Sequence, residues 1–165
     1  MNPISIIFLL VGIAIASISK DLNTGYGFVN GYWPALLGLV AGSGPWIYFH
    51  ALKHSQDIAK GIWINHVKAN AWRFLVFSFL ILPVNAYNWN WIRVIDQYIF
   101  AGCFFGLLFN LCLNHFRELP WDYLSKSGKK RAITDKIFAS LPHGGKILIL
   151  VELLGMAATT WILTL

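Results

Sequence analysis

Seven polar side chains of this chain fall within apolar runs or at their ends: His50, His54, Arg73, Asn110, Asn114, Arg117 and Glu152. Glu152 is the one acid within Ile147 to Leu165, a run whose other polar residues are threonines. An ionisable group at bilayer depth costs about 2.5 kcal/mol or more unless it finds a partner, so Glu152 marks either a buried ion pair or a ligand, ion or proton site. Arg117 and Arg73 are the candidate partners for such a pair. Asn110 and Asn114 are four apart and share a helix face with Gly102, Gly106 and, one short step on, Arg117. Gly145, Glu152 and Thr159 recur every seventh residue and give a second polar stripe.

His50 and His54 are also four apart, a spacing that can bring two imidazoles to one metal, with Asp57 or Glu152 as an oxygen ligand. The chemistry beyond that is sparse. Five histidines are too few for the multiple histidine boxes of membrane di-iron enzymes. The sequences His-Glu-x-x-His, Gly-x-Ser-x-Gly and the phosphate-binding lysine loop are absent. Glycines 25, 27 and 31 miss the dinucleotide fingerprint by one residue. No cofactor is expected, other than a metal if His50 and His54 bind one.

These residues need elements to carry them, and composition says what kind. Of the 165 residues 57% are hydrophobic and 12% charged, against about a quarter charged in ordinary soluble domains. Apolar windows approach the roughly 20 residues a spanning helix needs, and they lack the alternation of a membrane barrel. The expected fold is all-α: a single membrane domain, residues 1–165, built as a polytopic bundle of about five transmembrane helices, with four as the alternative count. The spans are 3–19, 32–52, 74–92, 97–116 and 147–165. Met1 to Ser19 holds no Lys or Arg, so the first span is read as a retained helix and not a cleaved signal peptide.

Basic residues orient the bundle. Lys53, Lys60, Lys68 and Arg73 lie in the segment 53–73, and seven Lys or Arg lie in 116–146, whereas the loops near Lys20 and Arg93 hold one each. With five spans both basic segments share a side, and the positive-inside rule makes that side cytoplasmic. The N-terminus is then inside and the C-terminus outside. Both basic segments are expected to carry interfacial helices: 53–72 continues the second span and turns back along the surface, and 131–141 lays Ile133, Ile137, Phe138 and Leu141 against lipid. All seven polar residues then belong to the cytoplasmic half.

The net charge of +6 follows from this topology and does not imply nucleic-acid binding. Lys126, Lys129, Lys130 and Arg131 suit anionic lipid headgroups, at about 1 kcal/mol per residue. Gly38 with Gly42, and Gly102 with Gly106, are close-packing patterns for helices in one chain or between copies. Cys103 and Cys112 fall on opposite faces of one helix and cannot bridge.

The stretch Asn110-Leu-Cys-Leu-Asn114-His-Phe-Arg117-Glu-Leu-Pro120-Trp-Asp-Tyr123-Leu-Ser, followed by Thr134-Asp135-Lys136, resembles a motif in small uncharacterised multi-pass membrane proteins of bacteria and their phages. The run His50 to Arg73 is similar to that group too, so the resemblance covers about half of the chain. It implies a bacterial inner membrane or phage membrane setting and supplies no catalytic residue. The expected function is non-enzymatic: a structural or assembly component, of virion-membrane or holin-like kind, with homo-oligomers or a membrane protein as partner. The alternative is a ligand, ion or proton site centred on Glu152, for transport or sensing. A metal-dependent membrane enzyme using His50 and His54 is the third reading.

Overall fold

The computed structural model describes residues 32–62, 65–86, 89–125 and 133–164. The expected first span, the loop after it and the basic cluster Lys126, Lys129, Lys130 and Arg131 lie outside the described residues. Among those described, every regular element is a helix: α1 (Tyr32–Ala59), α2 (His66–Asn85), α3 (Trp91–Phe116), α4 (Ile133–Phe138) and α5 (Gly144–Thr164). Trp91–Phe116 and Gly144–Trp161 are long and apolar enough to cross a bilayer. Helices α1 and α2 are long but more polar: α1 carries Ser43, Pro45, His50 and His54, and α2 opens with His66, Lys68, Asn70 and Arg73.

Local signals set the helix ends. α1 runs past Leu52 to Ala59 and stops at Gly61, whose φ of 69° is natural for glycine. There the Ile62 N–H reaches back to Asp57 O (2.9 Å) and the Gly61 N–H to Ile58 O (3.0 Å), a Schellman stop. The chain turns back as expected, but the next helix starts at His66, well before Phe74. Asn65 caps it by accepting from the Lys68 N–H at 3.1 Å.

The second turn differs more from expectation. It lies between Asn85 and Trp91, not between Ile92 and Gln97. Pro83 occupies the last turn of α2, and the Asn90 side chain accepts from the N–H groups of Ile92 and Arg93. This cap moves Arg93 and Asp96 from the expected loop into α3. The short helix α4 is found inside the expected 131–141 segment, with Ile137 and Leu141 exposed.

Helix α3 is the centre of the arrangement, packed on α1 along one face and on α5 along another. The core beside it is formed by Trp46, Ile47, Ala51, Val76, Phe77, Ile81, Phe105 and Phe109, among others. Gly38 and Gly42 are buried on the inner face of α1 beside Leu39 and Ser43. Trp46 meets Phe105 and His54 meets Phe109, so α1 and α3 run parallel. In the α3–α5 seam Gly106 faces Glu152 and Gly102's neighbour Cys103 faces Gly155. Three residues up one helix answer three down the other, so α3 and α5 are antiparallel.

Candidate functional site

His50, His54, Arg73 and Glu152 gather at one level of α3 but on different sides of it. On the α1–α2 side, Phe105 and Phe109 stack on each other at 5.0 Å between centroids and form an aromatic floor. The Arg73 guanidinium rests over both rings, 4.4 Å from one centroid and 5.0 Å from the other. His50 lies 5.5 Å from the Phe109 ring and stacks on Trp46 at 5.3 Å and 12°. His54 meets the edge of Phe109 at 5.3 Å and is 5.8 Å from His50. Arg73 Nη1 donates to Asn70 Oδ1 at 2.8 Å, while Arg73 Nε and His50 Nε2 are buried without a hydrogen-bond partner.

The charge at this floor is positive. Burial first, and then the Arg73 charge, lower the His54 pKa from 6.5 to about 4, so His54 is neutral at pH 7. Asp57, the carboxylate the metal reading would use, is 3.5 Å from Lys53 Nζ. Among the described residues no three metal-ligating side chains come together.

Glu152 is on the other side of α3. It is buried at 7% exposure and fits where Gly106 lacks a side chain, since a Cβ there would overlap Glu152 Oε1. Neither Arg73 nor Arg117 forms the ion pair with Glu152 that charge alone suggests; Arg73 lies against Phe105 and Phe109 and Arg117 against Tyr123. Glu152 Oε2 is buried with no hydrogen-bond partner. The physical reason is placement. Arg73 lies behind the rings of α3, and Arg117 has passed the helix end and stands 5.8 Å over Tyr123.

The stripe of α5 nonetheless faces inward as its spacing requires. Gly145 lets the backbone approach Asp122 O, and Thr159 is buried and donates to Gly155 O at 2.9 Å. On α3 the stripe holds less well. Gly102 is exposed, with no atom within 4 Å of a Cβ built on it, so of its glycine pair only Gly106 packs.

Asn114 clamps a loop. It is 4% exposed, and its Nδ2 donates to Trp121 O at 3.1 Å and to Tyr123 O at 3.0 Å. The loop it holds begins at a second Schellman stop, with Leu119 N–H to Asn114 O at 2.9 Å and Glu118 N–H to His115 O at 3.1 Å. Asn110 is half-buried on the same helix. The motif Asn110 to Ser125 is therefore a fixed corner that leads α3 toward α5.

A polar group at the other end escaped the sequence reading. Asn85 Nδ2 donates to Gln97 Oε1 at 2.7 Å, both buried, and Asp96 beside them is 6% exposed with Oδ2 unpartnered. Ser78 and Tyr98 share a hydrogen bond of 2.6 Å one step further in. The helix cap at Asn90 is the signal that places Asp96 in the same helix as Gln97. Comparison with protein-family models, with curated proteins and with solved structures gives no match for this chain.

Proposed function

We propose that this chain is a non-enzymatic integral membrane protein, a structural or assembly component of a bacterial or phage membrane in the virion-membrane or holin-like sense. One observation carries the membrane reading: large apolar side chains cover the outside while polar groups are buried within the apolar core. Outside stand Leu37, Phe74, Phe79, Ile92, Ile95, Leu150, Leu154 and Trp161; inside stand Ser43, Asn85, Gln97, Asn114, Glu152 and Thr159. In water, broad exposed apolar faces of this kind invite association, whereas in lipid polar groups must turn inward. The five-span bundle with both basic segments on the cytoplasmic side remains the topology this reading uses.

The test is alkaline extraction of membranes from cells expressing the full chain, followed by cross-linking in native bilayers. Retention in the pellet and a ladder of oligomers are the expected results. Release into the supernatant sinks the membrane reading; a monomer without effect on membrane permeability sinks the assembly and holin-like reading.

A second reading is favoured by the buried Glu152 Oε2, which has no hydrogen-bond partner: an ion or proton site in the α3–α5 seam. Glu152→Gln keeps the shape and removes the charge. A change in ion or proton flux through reconstituted vesicles supports this reading, and unchanged flux removes it.

A further inference from the structure

We propose that Arg73, His50 and His54 form a binding site for a phosphate-type oxyanion at the end of α1 where it meets α2. Arg73 is a partly buried cation with no carboxylate beside it. Its Nη1 is committed to an uncharged amide, Asn70 Oδ1, and its Nε has no acceptor. The Phe105 and Phe109 faces attract the guanidinium charge but offer no oxygen to that N–H.

His50 Nε2 is a second enclosed nitrogen without a partner, on a ring held in orientation by its stack on Trp46. His54 completes the group over Phe109. The floor thus collects one fixed positive charge and imidazole nitrogens able to donate; Asp57, the acid that acts on His54, is engaged by Lys53 at 3.5 Å.

The same arrangement disfavours the metal suggested by the histidine spacing. A metal cation would add positive charge next to a guanidinium, whereas an oxyanion removes the imbalance and fills the open N–H positions. The planar fork of an arginine matches phosphate oxygens in pairs, and imidazole protonated on Nε2 donates a further bond. Both Arg73 and His50 are only partly buried as residues, so the anion reaches the nitrogens as the guanidinium turns on its flexible stem.

The group has two sources, a free phosphate or the headgroup of an anionic phospholipid. The full-length protein in mild detergent is titrated separately with inorganic phosphate, with phosphatidylglycerol and with phosphatidylcholine, and binding is read by native mass spectrometry and by the unfolding midpoint. Saturable binding of phosphate alone identifies a soluble oxyanion. Saturable binding of phosphatidylglycerol over phosphatidylcholine, without a phosphate effect, identifies the headgroup.

In either case Arg73→Gln should weaken binding at least tenfold, and Lys146→Gln, an exposed cation of α5, should leave it within about twofold. Should Arg73→Gln fail to fold, His50→Phe keeps the aromatic stack while deleting Nε2, and a several-fold loss is expected. Binding of neither probe overturns the proposal. So does an equal loss in Lys146→Gln, which would mean diffuse surface attraction. The outcome is independent of Glu152 and leaves the proposed function to its own tests.

Discussion

One oxygen of the Glu152 carboxyl takes the place that a side chain at Gly106 would need. The obstacle is the tip of a flexible side chain, not backbone. Gly106→Ala should therefore displace the carboxyl and leave the helices seated. Gly102→Ala on the same helix meets open space and should stabilise by up to about 1 kcal/mol through helix propensity. Relative to it, Gly106→Ala should be worse by about 1–3 kcal/mol, the usual cost of overpacking. With Glu152→Ala already present that difference should vanish. Thermal unfolding in detergent of the four variants decides, and an undiminished penalty without the carboxyl would refute the contact.

Asn114 replaces two missing backbone partners at once, bonding Trp121 O and Tyr123 O. Asn114→Ala should cost about 1–2 kcal/mol, since two part-buried carbonyls lose their donor. The emission of Trp121, already half-exposed, should shift toward that of a free loop. A variant of unchanged stability would mean that the corner is held elsewhere.

Two helices end on the same hydrogen-bond pattern with different residues at the left-handed position. Gly61 has φ 69° and Glu118 has φ 55°. A side chain in that conformation costs roughly 1–2 kcal/mol, partly offset by the greater freedom of glycine when unfolded. Glu118→Gly should raise stability by about 0.5–1 kcal/mol, and Gly61→Ala should lower it. A loss in the first variant would show that the Glu118 side chain is needed where it stands.

His54 lies two residues beyond Leu52, the expected end of its span. Burial, then Arg73, then His66 hold its pKa down at about 4, with Asp57 acting in the opposite sense and Arg117 adding a smaller push downward. The unfolded imidazole titrates near 6.5. Below that value the unfolded chain takes up a proton that the folded one refuses, so stability present above pH 6.5 is lost as pH falls toward 4. Unfolding midpoints measured between pH 7.5 and 4.5 should decline, and His54→Gln should flatten the decline. Parallel curves for the two proteins would contradict the assignment.

Period and composition carried the helices themselves and the inward stripe of Gly145, Glu152 and Thr159 into view. They also placed His50, His54, Arg73 and Glu152 at one level. What they could not supply was the azimuth around α3. Phe105 and Gly106 are adjacent in sequence yet face different neighbours, so residues at one depth divide into two sets. The turn between α2 and α3 was misplaced for a different reason. Apolar content continues through Trp89, Trp91 and Ile92, and the boundary is written instead by one asparagine cap. The pairing of Glu152 with arginine was plausible by charge alone, but charge does not say which side of a helix a partner occupies.

Because α3 carries the aromatic floor on one flank and the vacancy for Glu152 on another, it works as a common axle for both. A one-residue screw of α3, about 1.5 Å along its axis with a turn of about 100°, would lift the rings from under Arg73 and in the same stroke put a Cβ against the carboxyl. The two charged groups never touch, yet neither can be re-seated without the other registering it.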